Sequence, residues 1–379
     1  MGDIAERVTR KNENNESDLP LTISAQHGLI DQRLFFNAQV ASRDMSGYYL
    51  LRQGEFAYNK STSADSPWGA IKRLTRYEKG CVSTLYICFA LLNANPDYLV
   101  TYYETNRWHK AVQMIAAEGA RNHGLLNIAP DDFFDTMVSL PESQAEQQTI
   151  GAFFSRLDSL ITLHQRKYDK LVIFKKSMLE KMFPKDGESV PEIRFAGFTD
   201  PWEQRKLENL ASFGGGHTPS MADASNYVDG KILWVTSQDV KQHYIENTTT
   251  MISEKGAATL TLYPSDSIVI VARSGILRHT IPVAKLRKPA TVNQDIKVIQ
   301  TVDSCDSSWL LQYFIASNKT LLREYGKTGT TVESIDFAKM KSTALMVPYI
   351  EEQQAIGSFF SRLDNLITLH QRKRLWFAK

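Results

Sequence analysis

The most regular pattern in this chain lies between Ile150 and Met178, where apolar or aromatic residues recur every three or four positions. The members of this stripe are Ile150, Phe154, Leu157, Ile161, His164, Tyr168, Leu171, Phe174 and Met178. Such spacing predicts a helix with one continuous face for a partner helix. Ser143 and Glu146 form a capping box at its start, and Pro184 follows its end. Forty residues of helix would be about 60 Å long, at a rise of about 1.5 Å per residue.

Short runs rich in β-branched and aromatic residues flank this helix and predict two mixed α/β regions. In the first region the pattern predicts strands at residues 21–23, 55–59 and 82–89 and a helix at residues 96–119. In the second it predicts strands at residues 231–235, 267–272, 280–286 and 296–300 and a helix at residues 306–324. A second long helix is predicted from about residue 350 to residue 379, and at roughly 40 Å it is shorter than the first.

The two long helices carry a nearly identical block. Residues 147–167 and 353–373 lie 206 positions apart, and 18 of their 21 residues are the same. This period is far too long for a solenoid, so a whole module is duplicated. A weaker similarity sets residues 2–5 against 208–211, 56–61 against 269–274, and 82–84 against 292–294, with Gln26 opposite Gln238. The two α/β regions are therefore expected to share a fold while their surface residues differ.

The amino-acid composition excludes few classes of protein. Hydrophobic residues make up 42% of the chain and charged residues 23%, as in ordinary globular proteins, and no run is long enough to cross a membrane. The three cysteines have neither metal-ligand nor disulfide spacing, which favours a reducing cytoplasm. A net charge of +2 neither requires nor excludes nucleic acid. The basic run at residues 164–185 is either a solvated helix face or a surface for phosphate or a partner.

Motifs of enzymes are absent or incomplete. Residues 95–98 (Asn-Pro-Asp-Tyr) are similar to the Asn-Pro-Pro-Tyr motif of adenine methyltransferases, but a capped helix start is favoured. The glycines at 214–216 lack the Lys-Ser/Thr of a phosphate-binding loop. The histidines have no metal spacing, and His164 and His370 occupy matching positions on the helix seam, where an interface role is favoured over a ligand role. No catalytic constellation or metal site is predicted.

Taken together, the paired Gln-Gln-x-Ile-Gly-x-Phe-Phe-Ser-Arg-Leu-Asp blocks resemble those of the specificity (S) subunits of Type I restriction–modification systems. Three further segments, residues 195–207, 214–220 and 234–240, are similar to family motifs at and inside a recognition domain. The resemblance implies an α+β fold with two similar mixed α/β target-recognition domains separated by two long, antiparallel-packed coiled-coil helices in pseudo-two-fold arrangement. The implied divisions are residues 1–141 (domain 1), 142–183 (helical spacer 1), 184–206 (linker), 207–348 (domain 2) and 349–379 (helical spacer 2, short).

The resemblance also implies a function and partners. Each recognition domain would read one half of a bipartite site in double-stranded DNA, and the helices would set the gap and bind two modification (methyltransferase) subunits. Restriction/motor subunits would attach through these. S-adenosylmethionine, ATP and Mg would belong to the partner subunits, and the chain itself would hold no cofactor, catalyse nothing and be cytoplasmic. The absence of a Pro-Trp-Glu-Gln-Arg-Lys lead before Gly2 and the short second helix depart from the family pattern and predict incomplete helix pairing.

Residues that read bases should be polar, near strand ends, and different between the repeats. The candidates for DNA binding are Lys60, Ser61, Thr62, Ser63, Lys72, Arg73, Ser83 and Arg121 in domain 1, and Thr218, Ser237, Gln238, Arg273, Ser274, Arg278, Asn293 and Gln294 in domain 2. The candidates for binding the partner subunits are Phe153, Phe154, Arg156 and Asp158 and their repeats Phe359, Phe360, Arg362 and Asp364. Two alternatives are a non-catalytic coiled-coil protein-interaction adaptor and a catalytic methyltransferase or nuclease, which the missing motifs disfavour.

Overall fold

A computed structural model describes the chain except residues 25–26, 37–40, 65, 117–123, 186, 329–331 and 378–379, and it describes the backbone but not the side chains of residues 374–377. It divides into two compact units, Met1–Thr162 and Leu163–Lys379. The boundary falls inside the first long helix, so each unit holds one α/β region together with part or all of a duplicated helix. The finer division into five segments stays a prediction.

The described residues of unit 1 form eight strands and the start of the long helix. The strands are β1 (Ala5–Arg7), β2 (Leu21–Ser24), β3 (Gly28–Asp31), β4 (Tyr49–Arg52), β5 (Phe56–Asn59), β6 (Ala70–Arg73), β7 (Lys79–Val82) and β8 (Ile87–Leu91). The helices are α1 (Gln32–Phe36), α2 (Pro96–Tyr103), α3 (His109–Ile115), α4 (Pro130–Phe134) and α5 (Gln144–Lys181), which continues into unit 2. The main sheet is antiparallel in the order β1-β8-β5-β6, and β2–β3 and β4–β7 form smaller pairs.

Unit 2 contains twelve strands among its described residues. They are β9 (Glu203–Lys206), β10 (Ala211–Gly215), β11 (Ile232–Val235), β12 (Tyr244–Ile245), β13 (Met251–Ile252), β14 (Ile268–Val271), β15 (Val283–Leu286), β16 (Ala290–Val292), β17 (Ile296–Thr301), β18 (Gly326–Lys327), β19 (Ser334–Ile335) and β20 (Ala344–Val347). The helices are α6 (Glu254–Ala257), α7 (Ser307–Ala316), α8 (Asn318–Tyr325), α9 (Phe337–Lys341) and α10 (Ile350–Phe377). The main sheet has the order β10-β17-β14-β15-β12, beside a smaller sheet β13-β11-β16 and a β9–β20 pair.

The two units share a topology. The order β1-β8-β5-β6 in unit 1 is the order β10-β17-β14-β15 in unit 2, and every neighbouring pair in both runs is antiparallel. In each unit, the chain leaves the second strand of this order, β8 or β17, and enters a helix that packs on the sheet. This helix is α2 in unit 1 and α7 in unit 2. The prediction that the two α/β regions share a fold is therefore confirmed.

The alignment of β5 with β14 requires a correction of one residue. Phe56 faces the helix-covered side of its sheet, and Ile268 faces the corresponding side of the other sheet. Val269, which the sequence comparison set against Phe56, points to the opposite face. Side chains in a strand alternate between faces, so a slip of one residue exchanges the two sides, and Phe56 matches Ile268.

Three predicted elements are each divided in two. The single strand predicted at residues 82–89 is wrong, because a turn at residues 83–86 separates β7 from β8, which belong to different sheets. The helix predicted at residues 96–119 is α2 followed by α3, and its last three residues lie outside the described part. The helix predicted at residues 306–324 breaks at Ser317 into α7 and α8. Apolar periodicity continued across these breaks, which is why the sequence did not reveal them.

Within unit 2, the last part of α5 packs antiparallel to α10. His164 contacts His370 with their Nδ1 atoms 2.9 Å apart, and Phe174 lies 6.3 Å from Phe359 between ring centroids. Because the contact partner moves backwards along α10 as the position advances along α5, the two helices run in opposite directions. The helix pairing expected from the sequence is thus present in this unit.

Candidate nucleic-acid interface

Four loops of unit 2 meet at one edge of its two sheets. β14 ends where β17 begins, since Val271 pairs with Ile296, and β10 ends opposite Lys297. In the smaller sheet, β11 and β16 run parallel and end together at Val235 and Val292. The loops that follow these ends are residues 216–220, 236–239, 272–275 and 293–295, and we call this edge the rim. The rim contains seven of the eight candidates for DNA binding in domain 2, and Arg278 follows three residues later.

Gln294 is the most accessible polar residue of the 293–295 loop, whereas Asn293 is structural. The Gln294 side chain is exposed, and its Oε1 accepts a hydrogen bond of 2.7 Å from the Thr218 hydroxyl of the neighbouring loop. Asn293 is only 7% exposed, and its Oδ1 accepts from the Asp295 backbone N–H at 3.1 Å. A side chain that completes its own turn is unavailable to a base edge, so Gln294 is the stronger candidate of the two.

The segment after β14 holds two arginines that differ in whether a carboxylate of the described residues pairs with them. Arg273 is exposed, and the ion pairs among the described residues do not include it. Arg278 forms an ion pair with Glu333, whose pKa is lowered chiefly by the hydrogen bond from that guanidinium. The Ser274 hydroxyl accepts from the Ile276 N–H at 3.5 Å and caps the short 3-10 turn. Arg273 is therefore a guanidinium at the rim that a phosphate or guanine could engage without displacing a carboxylate.

The loop after β11 is held by Asp239. Its Oδ2 accepts hydrogen bonds from both the N–H and the hydroxyl of Thr236, each 2.8 Å long. This fixes the turn that contains Ser237, which is half-buried, and Gln238, which is exposed. Gln238 is thereby presented outwards from an ordered turn.

In unit 1, the residues after β5 form a corresponding loop. The Lys60 ammonium donates to the Ile128 carbonyl at 3.0 Å, and burial lowers its pKa. The Thr62 hydroxyl donates to the Gly124 carbonyl at 3.0 Å, while Ser61 and Ser63 are exposed. Ser83 accepts from the Leu85 N–H in the turn between β7 and β8. The remaining candidate, Arg121, lies outside the described residues.

Lys72 and Arg73 have structural partners that sequence reasoning did not anticipate. Arg73 pairs with Asp97 in the first turn of α2 at 3.0 Å, and Lys72 pairs with Glu104, the C-cap of the same helix. In unit 2, Lys285 occupies the strand position of Arg73 and donates to the start of α7. These basic residues tie β6 and β15 to the helix that packs on each sheet, which leaves less of their charge available for DNA.

The duplicated block has a role in attaching each domain to its helix. In unit 1, Gln147 accepts from the Asn95 backbone N–H at 2.9 Å and donates to the Pro141 carbonyl at 2.9 Å. In unit 2, its repeat Gln353 accepts from the Asp306 N–H at 2.8 Å and donates to the Pro348 carbonyl at 2.9 Å. Asn95 and Asp306 are the N-caps of α2 and α7, so the same glutamine holds the same helix start in both units.

A glycine one helical turn later allows this close approach. A Cβ added at Gly151 would lie 2.6 Å from the Tyr98 backbone nitrogen, and one at Gly357 would lie 2.9 Å from the Trp309 nitrogen. We call each Gln-x-x-x-Gly arrangement, residues 147–151 and 353–357, a clamp. Neither the glutamines nor the glycines were predicted as functional residues, although their identity in the two copies was the signal that could have found them.

The candidate partner-binding residues differ sharply between the two copies. Phe360 is fully buried, and Asp364 forms an ion pair with Lys175 at 2.6 Å inside unit 2. These two therefore lack the exposure that binding a partner requires, because they are part of the unit's own core. Phe359 is partly buried and Arg362 is exposed, whereas Phe153, Phe154, Arg156 and Asp158 in unit 1 are all exposed.

The His164–His370 contact joins equivalent positions of the two repeats. One Nδ1 must donate and the other accept, so at least one ring is neutral. Burial, with the charges of His164, Lys167 and Lys373, lowers the pKa of His370. The helix contact therefore favours the uncharged form.

This lowered pKa predicts that the free energy of unfolding depends on pH. The unfolded chain takes up a proton on His370 near pH 6.5 while the folded chain resists it, so the free energy of unfolding should fall as the pH drops below about 6.5. Urea unfolding at pH 7.5 and pH 5.5 measures the effect, and His370→Gln should reduce the difference. Since His109 and His243 also have lowered pKa values, an unchanged difference in the variant would assign the effect to these histidines instead.

Residues 199–375 match the family model described as the Type I restriction modification DNA specificity domain. The chain is also similar to the Type I restriction enzyme EcoR124I/EcoR124II specificity subunit of Escherichia coli, at 31% identity over 166 residues. The matched part of the chain is therefore similar to the specificity subunits of Type I restriction–modification systems. A second relative in this family is the MjaIX specificity subunit of Methanocaldococcus jannaschii, at 30% identity over 174 residues.

These matches cover only part of each protein. The aligned segments span 43% and 44% of this chain and 41% and 38% of the two relatives. Among solved structures, the Type I restriction-modification S subunit from M. genitalium covers 100% of this chain and 91% of its own, with a TM-score of 0.54 at 12% identity. At that identity the likeness concerns the fold alone, and it agrees with two α/β domains combined with long helices.

Neither a membrane span nor a metal cluster is found where the structure describes the chain. None of its described helices combines the length and apolar character that crossing a bilayer requires. The described histidine, cysteine and acidic side chains do not gather in groups of three or more that could hold a metal ion.

Proposed function

We propose that this chain is the DNA sequence-recognition subunit of a Type I restriction–modification complex. Each α/β domain reads one half of a bipartite site in double-stranded DNA. The observation that carries this proposal is that one strand order and one clamp recur in both units while the loop residues differ. A shared scaffold with divergent polar loops supports two readers of different sequences.

In this proposal the chain is non-catalytic and works in the cytoplasm. Two modification subunits bind its helices, and restriction/motor subunits join through them. S-adenosylmethionine, ATP and Mg belong to those partners. The exposed residues Phe153, Phe154, Arg156 and Asp158, with Arg362, are the best placed of the candidate partner contacts. Two readers on one chain also need only modest affinity each, because binding of the second half-site is intramolecular.

The decisive experiment is a map of modified bases in DNA from cells that express this chain with a cognate methyltransferase. A bipartite methylated motif with a fixed gap is expected. A contiguous motif, or no new methylation with an active partner, would contradict the proposal. Binding of the complex to DNA should also weaken steeply with salt, and a slope near zero of log affinity against log salt would favour the interaction-adaptor alternative.

The rim predicts which half of the site a substitution affects. Arg273→Ala or Gln294→Ala should relax sequence preference at one base position of one half-site, at a cost of about 1–3 kcal/mol, and leave the other half-site unchanged. Selection from randomised DNA by the complex measures both halves at once. Lys288→Ala is the matched control, since Lys288 is exposed at the opposite end of the same sheet. If Lys288→Ala and Arg273→Ala had equal effects, the rim would have no specific role in base recognition.

A further inference from the structure

A segment much later in the chain joins the rim of unit 2. The Ser274 N–H donates to the Glu333 carbonyl, and the Ile335 N–H donates to the Ala272 carbonyl, each at 3.0 Å. The pairing is antiparallel, with Arg273 opposite the residue that follows Glu333. Glu333 therefore lies beside the loop that follows β14, although it was not among the residues predicted to bind DNA.

Unit 1 contains the same arrangement with a different residue at this position. The Thr62 N–H donates to the Gly124 carbonyl at 2.6 Å, and the Leu126 N–H donates to the Lys60 carbonyl at 3.0 Å. The Gly124 carbonyl thus accepts the hydrogen bond that the Glu333 carbonyl accepts in unit 2, which makes these two residues equivalent. Gly124 has a φ of 65°, in the left-handed region, where a glutamate would be strained. Domain 1 has no side chain at this position, and domain 2 has a carboxylate.

Glu333 holds the guanidinium of Arg278 by one edge. Its carboxylate accepts a hydrogen bond from Arg278 Nε, and Glu333 is only 8% exposed. The Arg278 side chain is nevertheless 67% exposed. Its terminal nitrogens, Nη1 and Nη2, have no hydrogen-bond partner within the described part of the chain. One edge of this guanidinium is therefore fixed against a buried carboxylate, and the other edge can bind a ligand while that contact persists.

A guanidinium fixed in this way is suited to recognising a base. Guanine presents two acceptors in the major groove, O6 and N7, and one arginine can donate to both. The two hydrogen bonds require a defined orientation of the planar guanidinium, and a side chain that is already held in it loses less freedom on binding. A contact to phosphate only positions the protein on the duplex and does not depend on sequence. The restraint by Glu333 therefore favours a base as the ligand of Arg278.

We propose that Arg278 reads a guanine in the half-site of domain 2 and that Glu333 is its positioning residue. Nη1 and Nη2 donate to O6 and N7 of the guanine, while Nε stays bonded to the Glu333 carboxylate. This inference rests on the proposed function and adds to it one base and the residue that orients its reader. Domain 1 has Gly124 in place of Glu333, and residues 61–69 contain neither arginine nor lysine, so its half-site lacks this contact.

The test is selection from randomised DNA by the complete methyltransferase complex. Arg278→Ala should lower the preference for guanine at one position of one half-site by about tenfold or more. Glu333→Ala should lower it at the same position by a smaller factor. Glu333→Gln should lower it least, because its amide oxygen can still accept from Nε. Arg205→Ala is the matched control, since Arg205 is an exposed arginine paired with Glu203 in β9, and both half-sites should stay unchanged.

Affinity for DNA without the site separates positioning from a structural role. Glu333→Ala removes a negative charge beside the rim, so the affinity for such DNA should stay equal or rise while the preference for guanine falls. A variant that failed to fold would lose both. In the Arg278→Ala background, Glu333→Ala should have no further effect at that base position, because the residue it orients is already absent.

Two results would overturn the inference while leaving the proposed function intact. One is that Arg278→Ala weakens binding to all sequences equally, which is the behaviour of a phosphate contact. The other is that Glu333→Ala leaves the base preference unchanged. Both require that the natural complex selects a bipartite site. If the natural complex selected no such site, the proposed function would fail and this inference would fail with it.

Discussion

Lys175→Met is expected to destabilise unit 2 by about 3–5 kcal/mol, because it leaves the buried Asp364 carboxylate without its counter-charge. The two side chains are only 9% and 11% exposed, and their atoms lie 2.6 Å apart. Asp364 would retain the hydroxyl of Tyr244 and the amide of Gln312, each at 3.3 Å, and these neutral donors do not replace a cation. Urea unfolding of the full chain at pH 7.5 measures the loss.

The matched control for this substitution is Lys176→Met, since Lys176 is exposed on the same turn and should change stability by less than about 0.5 kcal/mol. The double variant Lys175→Met/Asp364→Leu should recover most of the stability, because replacing both members of a buried pair by apolar residues is often neutral or better. If the Lys175→Met variant were as stable as the natural chain, the Asp364 carboxylate would not depend on Lys175 for its stability in the core.

Gly357→Ala is expected to destabilise unit 2 by about 1–3 kcal/mol, although alanine is the better helix former by about 1 kcal/mol. The added methyl group would lie 2.5 Å from the Asp306 carboxylate and 2.9 Å from the Trp309 backbone nitrogen. The helix start must therefore move, and the hydrogen bond from the Asp306 N–H to Gln353 is strained with it. Gly151→Ala should have the same effect in unit 1, where the nearest atom would be the Tyr98 nitrogen.

Urea unfolding followed by domain-specific probes measures both clamp substitutions. Gly47→Ala and Gly275→Ala are the controls, because a Cβ at either position meets no atom within 4 Å. If Gly357→Ala raised the urea concentration at the unfolding midpoint, the gain in helix propensity would exceed the cost of the close contact. The clamp would then adjust to the added methyl group without losing stability. A loss confined to one unit per substitution would show that the clamps act independently.

Much of the fold follows from local patterns in the sequence. The apolar stripe and its capping serine place the long helix at residues 142–183, and α5 spans Gln144–Lys181. Predicted strands at residues 55–59 and 267–272 correspond to β5 and β14. These elements succeed because their periodicity and their end signals agree over their whole length.

What the sequence could not reveal depends on contacts between distant residues. Arg73 is a basic residue at the end of a strand, as a DNA contact is expected to be. Only the path of α2 brings Asp97 within 3.0 Å of it. Asn293 and Gln294 are adjacent polar residues after the same strand, and the turn that buries one exposes the other. Burial and pairing of this kind are tertiary properties, so the sequence could select polar residues near strand ends as candidates but could not rank them.

The clamps have a consequence for exchange of modules. Each clamp glutamine holds its helix start through a main-chain N–H and a main-chain carbonyl. Every domain with a capped helix at that place presents these groups, whatever its side chains are. Because the 21-residue block binds main-chain atoms, it can hold a domain from another protein without compensating substitutions in either part. Joining domains at this block should yield working hybrids, whereas joints inside β9 or β20 would separate strands that must match each other.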